Sequence, residues 1–434
     1  MNELQDQHYL RAVTDLSDTR KIVASCDIYS QSGIKLVAAG IRITSNLYDR
    51  LVNHKLLLRL DTALAAENTL DPKILLQDLH ALLQANDKLK AMVDAIGADL
   101  QFSRIIHSID LPTPLFFKLT VAREKFVRIY QRSLLLLTLG IYLAHRDGLR
   151  QHEVNWVAVG ALCQDMGLLH IDPQLLEPSH VMTPDERRHL YAHPLTAYLI
   201  LREFPELSPH IADAVLEHHE RMDGSGYPRG LNGERISRYG QILAFAELVA
   251  TAFDGDHPAE QSNKLEMMLK LNSRRYGSGL IAYVDFHRDG LVAEASSRTD
   301  DLEHLAAQVR LIAKLFEGLS QQLHPEPRDA ILDIAQARLA ALRLELLDAG
   351  FNPGDPERLL QLFADDRDCV SDYAPLLNEA IWRFESLGME ISRLQAEEAG
   401  KNDAHPEGQH RNWLDEMKRL LLPDVRSVSR CSAG

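Results

Sequence analysis

The chain is poor in cysteine. It has four in 434 residues, at Cys26, Cys163, Cys369 and Cys431, far apart and with no CxxC pair. That spacing argues against a disulfide framework or a thiolate zinc site and favours reduced thiols. Long apolar runs are missing too, since none approaches the roughly 20 residues that span a bilayer, so no membrane insertion is expected. Met1 to Asp6 offers neither a basic stretch nor an apolar one, and no signal peptide is read there. A soluble, cytoplasmic protein is the expectation. Positive charge is also short, with 47 Lys and Arg against 62 Asp and Glu and a formal net charge of -15. This argues against a general surface for nucleic acid or anionic membrane. An anionic ligand stays open, because a metal or a few arginines can dominate one pocket.

What is present is an ordinary globular composition, 45% hydrophobic and 25% charged, in a chain long enough for two or three domains. From about 20 to 60, Asp27–Ser30 and Ile34–Ala38 read as short strands around Gln31-Ser32-Gly33. Ile41–Thr44 reads as a third, with Ser45 capping a helix. Leu75, Leu76, Leu79, Leu82 and Leu83 form a stripe on a helix between Leu70 and Leu100, a core or dimer face. The break at Leu111-Pro112-Thr113-Pro114 opens a helical region. Helices are expected over Arg123–Arg146, Gln151–Asp165, His193–Phe204, Ile211–Arg221 and Arg238–Phe253. Another begins at Thr183-Pro184-Asp185-Glu186, which supplies a cap, a first-turn proline and acids. After about 325 come helices at Ala330–Ala349 and Leu359–Leu394, a polar stretch, and a short helix around Trp413–Leu421. The fold class expected is mainly α, in three parts: a small α/β module with a helix (1–110), a helical domain (111–324) and a helical extension (325–434).

The centre of the sequence is Glu217-His218-His219-Glu220-Arg221-Met222-Asp223-Gly224-Ser225-Gly226-Tyr227-Pro228. Ile211, Ala214, Val215 and His218 recur at helical spacing, and the chain then breaks over two glycines and a proline. Histidines at a helix end, beside carboxylates and a glycine-rich loop, can meet a metal and a polar ligand together. Taken alone, two adjacent histidines are merely polar residues at a helix end. Asp165 ends the very apolar run Val157–Leu162, where a carboxylate needs a cation or a hydrogen-bond partner. Glu247 is the only charge in Ile242–Phe253 and carries the same requirement.

The whole string resembles the signature of the HD-GYP family, bacterial metal-dependent phosphodiesterases acting on cyclic di-GMP. The resemblance covers residues about 120 to 290, and the amino-terminal module looks like a piece found before some of these domains. It implies a helical domain that holds divalent metal, iron or manganese, through ligands on several helices. Carried over position by position, the metal ligands are Asp165, His193, His218, His219 and Glu247, with Asp165 also catalytic. The substrate-binding loop is Gly226, Tyr227, Pro228 and Arg229. Four positions depart from the pattern. Gln164 stands for the histidine of the His-Asp pair, Leu168 for a lysine and Ala250 for a second aspartate. Arg132 stands for the first histidine, and arginine cannot bind metal because it stays protonated. Arg132 is read either as a fixed cation pairing with Asp165, Glu247 or a ligand phosphate, or as a surface arginine.

Three functions follow from the resemblance. The first is a degenerate HD-GYP protein of cyclic di-GMP signalling, ligand-binding or regulatory, with weak or absent hydrolysis. The second is an active metal-dependent cyclic di-GMP phosphodiesterase with a reduced site, since two-metal hydrolysis uses ions roughly 3.5–4 Å apart to activate water and clamp phosphate. The third is an interaction scaffold without metal or nucleotide. Cyclic di-GMP is the expected small-molecule partner, and there is room for signalling proteins and a homodimer.

Overall fold

A computed structural model describes residues 5–44, 47, 51, 53–57, 60–66, 69–95, 99–177, 180, 183–250, 253, 273–276, 278–284, 301–321, 330–365, 370–399, 415–417 and 419. The protein is mainly α and divides into two compact units, Met1–Thr251 with Tyr276–Val284, and Ala252–Arg275 with Asp285–Gly434.

The first unit opens with helix α1 (Gln5–Thr19), which buries Tyr9, Leu10, Val13 and Leu16 along one stripe. Strand β1 (Ile22–Ala24) pairs antiparallel with β4 (Leu64–Ala66), and β2 (Ile28–Tyr29) with β3 (Lys35–Val37). The third strand expected at 41–44 is instead an isolated bridge, Arg42 to Val23. Ser45 lies outside the described residues. The single helix expected between 70 and 100 is broken into α2 (Pro72–Gln84) and α3 (Asp87–Ala95), followed by α4 (Asp99–His107). Asp71 caps α2, its carboxylate accepting from the Ile74 amide at 2.8 Å, which satisfies one of the donors a helix start leaves open.

Two further expectations change in the helical region. The helix predicted from Arg123 is two helices, α5 (Thr113–Lys125) and α6 (Val127–Arg146), parted at Phe126, whose φ of -126° and ψ of 57° are not helical. The helix predicted to run to Asp165 ends as α7 (Gln151–Cys163) and tightens into a 3-10 helix, Gln164–His170. Then follow α8 (Pro184–Leu190), started by the reciprocal Thr183–Glu186 capping box, α9 (His193–Leu201), α10 (Pro209–Glu217) and α11 (Arg238–Ala250). Helix α6 is buried without interruption from Ser133 to Ala144 because α7 and α11 both pack on it, while α10 packs on α7 and α11. Helix α9 lies on α10 and on the 3-10 helix, and α1 packs against that 3-10 helix and α5. The segment 276–284 is tied in by Tyr142, whose hydroxyl donates to the Tyr283 carbonyl at 2.8 Å, and by Tyr283, which donates to Asp147 at 3.1 Å.

The second unit consists of α12 (Asp301–Gln321), α13 (Ala330–Asp348), α14 (Pro356–Asp365) and α15 (Val370–Ala399) around a core of its own. Val309, Ile312, Leu346, Phe351 and Phe384 are fully buried in it. Arg383 bonds Glu345 and Glu379, and Arg275 bonds Glu379 at 3.0 Å, so these buried charges are matched. Among the described residues no helix is long and apolar enough to cross a membrane. Cys26 and Cys163 are free thiols, and burial pushes Cys163 up to about 12.

Candidate metal centre

Three imidazoles converge where α9 begins and α10 ends. His193 is the first residue of α9, and His218 and His219 follow the last residue of α10. Their ligand atoms all lie within 4.8 Å of one another. His193 Nε2 stands 3.2 Å from His218 Nε2 and 3.2 Å from His219 Nε2.

Backbone carbonyls decide what these atoms are. His193 Nδ1 lies 2.8 Å from the Leu190 carbonyl oxygen, and His218 Nδ1 lies 2.6 Å from that of Val215. A carbonyl only accepts, so each Nδ1 carries the proton and each Nε2 presents a lone pair. Two lone pairs 3.2 Å apart cannot hydrogen-bond each other. They are, however, spaced as two imidazoles on one ion would be, since metal–nitrogen bonds of about 2.0–2.1 Å set neighbouring donors about 3 Å apart. Burial keeps the rings neutral. It drives His193 down to about 3, with the His218 charge adding, takes His218 down to about 4, and holds His219 well below its ordinary value. The cluster therefore fits a divalent metal.

Asp165 lies beside it, with Oδ1 3.8 Å from His193 Nε2 and only 3% of the residue exposed. Burial first, and then the Glu247 charge, raise its carboxyl to about 7 against the opposing pull of Arg132. Among the described residues, Asp165 Oδ2 and Gln164 Oε1 are buried without a hydrogen-bond partner. Such acceptors are costly unless something satisfies them. The 3-10 helix brings Asp165 here by close approach. A Cβ on Gly167 would sit 2.1 Å from the His193 carbonyl oxygen, so only glycine lets the two backbones meet.

Glu247, on α11, is differently engaged. Arg132 Nη2 donates to its Oε1 at 2.5 Å, and Gln164 Nε2 donates to its Oε2 at 2.9 Å. Burial pulls this carboxyl upward, but the Arg132 charge and hydrogen bond outweigh it, with His218 and His193 adding, and hold it below the ordinary glutamate value. Among the partners left open for Arg132, Glu247 is one that it bonds.

The signature loop folds back on the helix end that precedes it. Glu220 accepts from the Arg229 and Leu231 amides at 2.7 and 2.8 Å, and Glu217 accepts from the Arg229 guanidinium and the Ser237 amide. The Arg229 head group is thus bound to Glu217 in the loop's own framework. A Cβ on Gly226 would come within 2.4 Å of the Glu220 Cα. Tyr227, joined to Pro228 by a cis peptide bond, stacks on His219 at 4.6 Å between centroids and on Tyr191 at 4.0 Å with the rings 3° from parallel, and meets His193 edge-on at 6.5 Å. Burial first, and then Tyr191, raise the Tyr227 hydroxyl well above its usual value. Sequence reasoning missed Tyr191, which carries no motif, and it missed Lys118. Lys118 is fully buried, 3.2 Å from His170 Nε2 and over the Tyr9 ring. A lysine set inside Leu115-Phe116-Phe117 and Leu119 was the available signal.

Residues 119–280 match the model of the HD domain family HD_5. This part of the chain is thus similar to an HD domain, and its His218–Pro228 string resembles the HD-GYP signature. The chain is 39% identical over 111 residues to the cyclic di-GMP phosphodiesterase response regulator RpfG of Xanthomonas campestris, a match covering 24% of this chain and 28% of that protein. It is 30% identical over 129 residues to a cyclic di-GMP phosphodiesterase of Pseudomonas aeruginosa, covering 30% and 31%. A 3'3'-cGAMP-specific phosphodiesterase of Vibrio cholerae is 30% identical over 118 residues, covering 27% and 25%. The chain thus spans less than a third of the length of each of these relatives.

Proposed function

We propose that this chain is a degenerate HD-GYP module of cyclic di-GMP signalling that binds the cyclic dinucleotide over a metal held by His193, His218, His219 and Asp165, with weak or absent hydrolysis. Relatives named for cyclic di-GMP and 3'3'-cGAMP support a cyclic dinucleotide as the ligand class. The single observation that carries the loss of activity is the Arg132–Glu247–Gln164 interlock, which occupies the carboxylate expected to ligate. A divalent metal such as iron or manganese would supply Lewis acidity at a phosphate oxygen or activate a water. The protein's own residues would do the rest. The backbone carbonyls of Leu190 and Val215 aim the imidazoles, and Tyr227 borders the centre through His219.

The second reading, a working cyclic di-GMP phosphodiesterase with a reduced site, is favoured by the surviving histidine cluster and the unsatisfied Asp165 oxygen. The test is hydrolysis of cyclic di-GMP by protein loaded anaerobically with ferrous or manganous ion, products separated by chromatography, with a binding titration on the same sample. Binding with intact ligand is the expected result. Linear dinucleotide or GMP, lost in His219→Ala, would establish the enzyme instead.

A further inference from the structure

We infer that Arg132 is a permanent cation standing in for a second metal ion, with Glu247 as its counter-ion and not a ligand, so that the centre holds one metal per chain. The inference rests on reading the histidine cluster as a metal site.

On one side, His193 and His218 present lone pairs and Asp165 adds a carboxylate, and no side-chain cation bonds any of these atoms among the described residues. That side calls for a cation. On the other side the call is already answered. Glu247, with 13% of its side chain exposed, has one oxygen on the Arg132 guanidinium and the other on the Gln164 amide. A guanidinium cannot be deprotonated by an approaching metal. A second divalent ion at Glu247 would therefore sit against a fixed positive charge in a site with little water to screen it.

Gln164 makes the arrangement specific. Its amide donates to Glu247, as a carboxylate requires, and this leaves its carbonyl as the oxygen without a partner. Arginine and glutamine replace the two histidines the resemblance calls for at these positions. Both donate to the same carboxylate, so the replacements act as a matched pair. The remaining ligand set of three imidazoles and one carboxylate suits a single iron or manganese ion with positions left for water or a phosphate oxygen.

The test uses the full chain, incubated anaerobically with excess Mn(II), desalted, and measured for metal by mass spectrometry and for spin coupling by electron paramagnetic resonance. The expected result is one manganese per chain with the spectrum of an isolated ion. The paired variant Arg132→Gln with Glu247→Gln removes both charges and should keep that manganese, whereas Arg132→His with Gln164→His should raise the content above one. An exchange-coupled pair in the unaltered chain overturns the inference while leaving the metal-centre reading intact. So does loss of manganese from a folded paired variant, or a double-histidine variant with unchanged content. If the variants do not fold, the spectrum of the unaltered chain decides alone. A chain that takes up no manganese fails the metal-centre reading itself, and this inference with it.

Discussion

A histidine can offer a metal either of two nitrogens, and at this centre the choice is made locally. Leu190 and Val215 lie three residues before His193 and His218, and their carbonyls hold the Nδ1 protons. Partners of this kind orient a ligand and raise its basicity. His218→Ala removes both the donor and its local support, and should weaken manganese binding by at least about tenfold, read by metal titration. Unchanged affinity would take His218 out of the ligand set. His218 and His219 were legible as candidates in the sequence because the signature string and its helical approach mark them, whereas His193 was legible only through the family resemblance. The partner of Arg132 was not. It lies far along the chain on another helix, and no local pattern distinguishes Glu247 from Asp165 as its counter-ion. Asp165 was legible as a charge needing a partner, but the Gly167 contact that seats it depends on two backbones meeting.

At the scale of elements, Asp78 joins three helices. On α2, it receives two hydrogen bonds from Arg123 of α5, at 2.6 and 2.8 Å, and one from the Tyr130 hydroxyl of α6, at 2.7 Å. Burial draws its carboxyl upward, but the Arg123 and Tyr130 bonds prevail and hold it below the ordinary aspartate value. A carboxyl depressed in the folded state stabilises above its unfolded range, and that contribution fades as pH falls through the folded value. Asp78→Asn should therefore cost about 1–3 kcal/mol at neutral pH, with the difference from the unaltered chain shrinking below about pH 4. Thermal denaturation across pH measures both, and a difference that stays constant down to strong acid would contradict this account. The same helices show where sequence patterns stop informing. The Thr183–Glu186 start was readable because capping is local chemistry. The break at Phe126 has neither proline nor glycine to announce it, and the 3-10 tightening after Cys163 answers to α9. Helix α1 was not anticipated, although Tyr9, Leu10, Val13 and Leu16 lie along its buried stripe.

At the scale of the whole molecule, two hydrophobic cores imply two cooperative units. Phe384 is fully buried in the second, against Phe316 at 5.1 Å between ring centroids. Phe384→Ala should cost that unit about 3–5 kcal/mol while manganese uptake at the histidine centre stays unchanged. Calorimetry with metal analysis checks this, and loss of metal in the variant would tie the centre to the second core. The first unit is also discontinuous, since the chain leaves it after Thr251 and comes back for Tyr276–Val284. The returning piece is integral to it: Tyr276 lies under the Arg221 guanidinium, 4.8 Å from ring centroid to Cζ, and Tyr283 is fastened to Asp147. A recombination event with a single crossover between 251 and 276 cannot lift the first unit out intact, because it leaves Tyr276–Val284 behind. Residues 252–275 must travel with the first unit, so in gene shuffling that unit and at least this part of the other are inherited as one cassette.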